Sequence, residues 1–359
     1  MFNSRTMFIA ISAIGILAGS ALAEPSAEAQ ATPAMTQSTD SSAQGQEVNW
    51  YPAIGLDTGE ESSVYVRGRR MVEVHRSESN WSDDFWYRIG VCNTFNGAVA
   101  WGPSHDLSIG GSWPTVAITR EGYVILIYAD SVSKASSHLN YWIGKMDLGG
   151  NYLQTIDWVR KVYWYDGGFH PHVTLTSDGK IVEVHESGNG NNGIFYRVGH
   201  LKDPTAGEYD IVWDSGQEHG VQYDDGINPS IAIDRSNNVV EVHQAKGDNY
   251  LHYSRGTLSG AQISFTTHPR FDNNGEQPAV TMTEDGKALE VQTTSRAIYY
   301  RVGTLSTSSN DKVDWTAPTR IDPSDTSAGL YPSIGYDEGL AVTTWQTGKN
   351  IRYSTALLF

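Results

Sequence analysis

The 359-residue chain carries 41 acidic against 25 basic side chains, a formal charge of -16 at neutral pH. A surface this acidic repels phosphate backbones and argues against nucleic acid as a partner. Cys92 is the only cysteine, so no intrachain disulfide can form and stability must come from a buried core.

The chain opens MFNSRTMFIAISAIGILAGSALA, with Arg5 ahead of an apolar run and Ala21-Leu22-Ala23 in the small-x-small form of a signal-peptidase site. The run from Met7 to Leu17 is shorter than the roughly 20 residues a membrane-spanning helix needs. Residues 1–23 therefore read as a cleavable signal peptide, and the product as secreted or periplasmic with no membrane span. Residues 24–46, rich in Ala, Ser, Gln, Thr and Pro, read as a disordered linker, leaving 47–359 as one folded domain.

That domain is repetitive. Five segments begin PTVAIT at Pro114, PHVTLT at Pro171, PSIAID at Pro229, PAVTMT at Pro278 and PSIGYD at Pro332, a period of about 50 to 60 residues. Each predicts a first strand. Second strands follow, ending at Tyr128, His185, His243, Gln292 and Gln346, then third strands in LNYWIG, IFYRVG, LHYSRG, IYYRVG and NIRYSTA. Fourth strands end at Trp158, Trp213, Phe265 and Trp315. An earlier unit has its first strand at Ser62–Val66, its second ending at His75, its third in FWYRIG and its fourth ending at Trp101. The last unit lacks a fourth strand, and EVNW at 47–50 supplies the missing motif. The expectation is an all-β, six-bladed β-propeller closed by an N-terminal strand, which leaves no long sheet edge exposed.

Residues that recur in every unit serve the blade. Tyr87, Tyr141, Tyr196, Tyr253, Tyr300 and Tyr353 occupy one third-strand position and are expected between blades. Glu73, Glu183 and Glu290 occur in units whose third strand carries Arg88, Arg197 and Arg301, which predicts cross-strand salt bridges, whereas Glu241 faces Ser254.

A site belongs at the end of the blades where first strands start and second strands finish, because those positions vary from unit to unit. They include Trp113, His170, Asn228, Gln277 and Tyr331 before the first strands, with His185 and His243 at second-strand ends. The third unit adds VYWYDGGFHPH, with Trp164, Tyr165, Asp166, His170 and His172, followed by His185-Glu186. Aromatic rings with amides and imidazoles suit sugar faces and hydroxyl groups. A two-residue turn at Asp178-Gly179 would set His172 opposite His185, with His170 on the same side. His170, His172 and His185 are thus candidate bases, or a three-nitrogen set for zinc, with calcium the alternative ion and neither required by the sequence. Tyr165 is the candidate acid.

The repeated P-x-V/I-x-L/I-T-x-D-G-K and VEVH/YRVG pattern across 47–359 resembles the secreted sialidase-like and lectin-like bacterial β-propellers. The likeness is architectural: the sialidase signature Ser-x-Asp-x-Gly-x-Thr-Trp is absent, and LTSDGKIVEV at Leu175 keeps only its Asp-Gly turn. FHPHVTLTSDGKIVEVH is also similar to propeller polysaccharide lyases that use histidine and tyrosine. The resemblance implies a secreted, carbohydrate-binding, lectin-like protein with a glycan or polysaccharide ligand. The alternatives are a glycan-active enzyme, lyase before hydrolase, and a protein-interaction scaffold.

Overall fold

The computed structural model describes residues 48–77, 83–93, 95–146, 155–215, 219–266, 268–308 and 312–358. Residues 1–47, with the expected signal peptide and linker, lie outside the described residues. Apart from two three-residue 3-10 turns, the described elements are β-strands, in a β-propeller arrangement of antiparallel meanders.

Each meander follows from alternation and local turn chemistry. In Glu60–Arg67, Arg70–Arg76, Asp84–Cys92 and Val99–Trp101, the buried residues Val64, Val66, Val72, Val74, Tyr87 and Ile89 fill the spaces between sheets. The outer strand seats an aromatic ring over the third-strand glycine: Trp101 pairs with Gly90, Trp158 with Gly144, Trp213 with Gly199, Phe265 with Gly256 and Trp315 with Gly303. A Cβ on Gly90 would meet the Trp101 ring at 2.8 Å, which explains the glycine that closes YRIG here.

Hydrogen bonding divides the strands into five sheets, not the six separate ones that the repeat predicts. Four stand alone with four or five strands each, while the fifth has eight. The cause is Asp157–Leu175, one continuous 19-residue strand. Its first part pairs with His138–Lys145 as an outer strand, and its last part pairs with Ile181–Ser187 as an inner one. Six inner strands nevertheless adjoin one another in cyclic order: Glu60–Arg67, Ser112–Ile118, the end of Asp157–Leu175, Ile227–Ile233, Glu276–Met282 and Leu330–Asp337, which returns to Glu60–Arg67.

The repeated tyrosines tie neighbouring meanders together. The Tyr87 hydroxyl accepts from Ile156 N–H at 3.0 Å, Tyr141 from Ile211 at 3.3 Å, Tyr196 from Ile263 at 3.2 Å and Tyr253 from Val313 at 3.1 Å. Tyr300 accepts from Val48 at 3.2 Å, and Trp50 bridges Ala356, the residue in the repeat's glycine position. Val48 thus contacts Ala297–Leu305, and Trp50 contacts Asn350–Leu357.

Candidate functional site

Each of the six inner strands carries a β-bulge near its start, between Glu60 and Ser63, Ser112 and Thr115, Phe169 and His172, Ile227 and Ser230, Glu276 and Ala279, and Leu330 and Ser333. One residue in each bulge is left-handed: Glu61, Trp113, His170, Asn228, Gln277 and Tyr331 have φ between 45° and 54°. A non-glycine residue in this region costs about 1–3 kcal/mol and persists only where its surroundings hold it. Side chains of neighbouring strands do so by accepting from the strained amides. Trp113 N–H donates to Glu61 Oε2 at 2.8 Å, Asn228 to Glu186 Oε1 at 2.7 Å, Gln277 to Gln244 Oε1 at 3.1 Å and Tyr331 to Gln277 Oε1 at 3.0 Å. The bulges re-aim their residues, and all six line one cavity of about 100 Å³ at the mouth of the ring.

The chemistry of the mouth is uneven around its rim. Trp113 meets His170 at 4.0 Å and Tyr331 at 4.9 Å between ring centroids, forming an aromatic wall. Two buried carboxylates flank it. Arg76 Nη2 binds Glu60 at 2.6 Å and Glu61 at 3.0 Å. Burial nonetheless raises the Glu61 pKa above the usual carboxylate range, against the pull of Arg76 and the Trp113 amide. Glu186 is held lower. Its burial acts upward, but His170 Nδ1 and Lys134 Nζ both bind it and outweigh that cost. His170 Nε2 has no hydrogen-bond partner.

The three histidines expected to converge do not. The turn after Leu175 is a three-residue loop, Ser177 to Gly179, with Gly179 at φ 88°. Thr176 N–H donates to the Lys180 carbonyl at 2.9 Å and Gly179 N–H to the Thr176 carbonyl at 3.1 Å. The register therefore slips by one from the expected two-residue turn, and His172 faces Val184 while Val173 faces Glu183. A one-residue slip sends every side chain to the other face, so His172 and His185 lie on opposite faces of the sheet. Among the described residues, no group of three or more His, Cys, Asp or Glu is placed to hold a metal ion.

Each histidine has its own setting. His170 is at the mouth. His172 Nδ1 accepts from Ile231 N–H at 3.2 Å, as the Thr115, Ser230 and Ser333 hydroxyls accept from Val173, Val280 and Val64. Burial lowers the His172 pKa to about 4, so it is neutral there. It also borders a larger cavity of about 300 Å³ lined by the hairpin-end segments of the inner strands. His185 is buried, with Nδ1 3.0 Å from Glu183 and Nε2 3.8 Å from Asp166.

That last arrangement repeats. His75 sits between Glu73 at 3.0 Å and Asp57 at 3.9 Å, and His243 between Glu241 at 3.1 Å and Asp224 at 3.6 Å. Glu73 and Arg88, Glu183 and Arg197, and Glu290 and Arg301 are cross-strand neighbours, but the salt bridges expected between them are not the ones formed: Glu73 and Glu183 bind His75 and His185, and the Glu290 carboxylate oxygens have no hydrogen-bond partner among the described residues. The arginines instead pair with an aspartate that the sequence did not suggest: Arg88 Nε lies 2.7 Å from Asp57, Arg197 Nε 2.6 Å from Asp166, and Arg301 pairs with Asp272. Where Ser254 replaces the arginine, His268 takes its place 2.7 Å from Asp224.

Tyr165 is enclosed, stacked on Trp213 at 5.4 Å, and burial raises its hydroxyl well above the ordinary range, a setting that offers no accessible proton. Asp166 belongs to the Arg197 pair, whereas Trp164 is exposed. Glu61, Arg76 and Gln244 were not anticipated. Their signal was present, since Glu61 immediately precedes the first strand expected at Ser62 and so corresponds to Trp113 and His170, but Ser62 stands where the other units have proline.

No family model matches the chain, and no curated relative is similar to it. Solved structures are similar in fold. A Hadza microbial sialidase superposes with a TM-score of 0.58 at 11% identity, covering 84% of this chain and 66% of the sialidase, so the chain spans just under two thirds of that protein. A Penicillium chrysogenum alpha-L-arabinanase complexed with arabinobiose gives a TM-score of 0.51 at 11% identity, covering 86% and 98%. A glucose dehydrogenase gives 0.52 at 11% identity, covering 85% and 98%. At these identities the likeness concerns the fold alone, and the chain has an architecture-level resemblance to the sialidase and arabinanase propellers.

Proposed function

We propose that this chain is an exported, lectin-like glycan-binding propeller whose single axial mouth holds the sugar. The ring counts six blades, with Asp157–Leu175 serving two of them and residues 47–50 completing the last. The observation that carries the reading is the ring of Glu61, Trp113, His170, Asn228, Gln277 and Tyr331, six different side chains aimed by bulges at one cavity. Two aromatic rings offer stacking faces. The Asn228 and Gln277 amides and the Glu61 carboxylate offer bonds to hydroxyl groups. The sialidase and arabinanase neighbours act on or bind glycans, as their names state, which supports the same ligand class. Export rests on Ala21-Leu22-Ala23.

A second reading, a glycoside hydrolase, is favoured by one feature: Glu61, which lines the mouth, is pushed up, and Glu186, which holds His170 there, is pushed down. Paired carboxylates with separated pKa values divide into an acid and an ionised partner. The test is a glycan array probed with the mature wild type and Trp113→Ala, run beside an assay for newly released reducing ends. The reading predicts that Trp113→Ala loses at least about tenfold in affinity, roughly 1.4 kcal/mol. Binding that survives the substitution would refute the mouth as the site. Reducing ends released by the wild type and abolished by Glu61→Gln would establish the hydrolase.

A further inference from the structure

Beside the mouth stands an aromatic surface that neither the repeat nor the packing requires. Trp164 is 69% exposed and its neighbour Tyr163 58%, although both belong to the long strand that joins two meanders. Trp164 is also left-handed, at φ 57°. Its amide donates to Oδ1 of buried Asn140 at 2.9 Å, and its indole Nε1 donates to Asp130 Oδ2, also at 2.9 Å. The His138 ring lies 5.3 Å from it at 34°, and His138 is itself tied to Asp130 by its amide at 2.8 Å and by Nδ1 at 3.3 Å. A large ring is therefore held in one orientation and turned toward water. Rigid presentation lowers the ordering cost of binding.

We propose that Trp164 and His138 form a second sugar-stacking subsite, so that the ligand is a linear oligosaccharide of several units and not one terminal sugar; this rests on the glycan reading of the mouth. Two observations select a sugar as the occupant. The rings are edged by hydrogen-bonding groups, Asp130 and the His138 imidazole, which match the hydroxyl rim around the apolar face of a pyranose or furanose. The same loop that supplies Asp130 and His138 also supplies Lys134, whose ammonium binds Glu186, the carboxylate that holds His170 at the mouth. One loop thus reaches both places, on the side where a chain leaving the mouth past His170 would meet Trp164. A stable protein partner needs on the order of 1,000 Å² of complementary surface; apart from two rings and Val132, the exposed groups here are polar.

The experiment uses an array of linear oligosaccharides from disaccharide to hexasaccharide, in neutral and acidic series, with the mature protein and its Trp164→Ala, Trp164→Phe and Trp113→Ala variants. The wild type is expected to bind hexasaccharides at least about tenfold more tightly than disaccharides of the same series. Trp164→Ala should cut that advantage to about twofold or less, and Trp164→Phe, which keeps a ring, should retain most of it. An advantage that persists in Trp164→Ala, or no dependence on length in the wild type, overturns the subsite while leaving the mouth intact. Absence of wild-type binding to every member overturns the glycan reading and this inference with it.

Discussion

Histidine plays three physical roles within the stretch from His170 to His185, and each is decided by what its ring nitrogens face. His185 shares its repeat position with His75 and His243, and all three lie buried between a glutamate and an aspartate. Burial acts to lower their pKa values, but the glutamate charge and hydrogen bond outweigh it, and all three are raised above 6.5. Folded histidines then bind protons more tightly than unfolded ones. Their stabilisation is fully present below pH 6.5 and is lost as pH rises through the raised values. His172 has the opposite sign: it is depressed to about 4, so its contribution is present above pH 6.5 and lost as pH falls toward 4. The melting temperature should fall by several degrees between pH 6.5 and pH 9, and His185→Gln should flatten that fall, since Gln292 already occupies the equivalent place and bonds Asp272 at 3.1 Å. Thermal melts across this range check it; an unchanged slope in His185→Gln would contradict the clamp. The recurrence of His75, His185 and His243 at one repeat position was legible, although His185 and His243 were expected at a site. The role of His172 was not, because Ser, Thr and His share nothing at that position except an acceptor atom.

Among elements, the outer strands show how far a short motif reaches. A ring seated over a third-strand glycine recurs in five described sheet pairings, and Trp50 against Ala356 reproduces it from the far end of the chain. Trp50 is buried and meets Tyr300 edge-on at 6.0 Å. Trp50→Ala should cost about 3–5 kcal/mol, the usual range for deleting a buried aromatic, and lower the melting temperature by roughly 10 °C. An unchanged melt would mean that residues 48–50 do not complete the last blade. The strands and their order could be read from the proline-led repeat, and the V-x-W motif pointed to Trp50 beside Asn350–Leu357; that it closes the ring is part of the proposal. The register at Asp178-Gly179 could not: the dipeptide fits both a two-residue turn and the last positions of a three-residue loop. The Thr176 hydroxyl, which accepts from Lys180 N–H at 2.8 Å, selects the longer one. That single residue separates His172 from His185. Likewise, Asp57, Asp166, Asp224 and Asp272 come from segments outside the second and third strands, so strand-by-strand comparison could not pair them with the arginines or with His268.

At the scale of the whole molecule, the six inner strands present two different ends. One cavity of about 300 Å³ is lined by Arg67, Arg120, Asp234, Arg235, Glu284 and Asp337 among others, with Arg67 3.7 Å from Asp337 and Arg235 3.7 Å from Glu284. The other is the mouth, where left-handed residues, unlike partners and an unpartnered imidazole nitrogen meet. Five of its six rim residues were legible because they precede a proline in the repeat; Glu61 escaped because Ser62 stands in that place. On the proposed reading, a ring with one such mouth would bind one glycan per chain, whereas equivalent pockets between blades would bind several. Isothermal titration of the mature protein with the tightest oligosaccharide found on the array measures this directly. The predicted result is one site per chain, abolished in the Glu61→Gln, Trp113→Ala double variant with the fold retained. Two or more equivalent sites, or one site that survives the double substitution, would contradict the account.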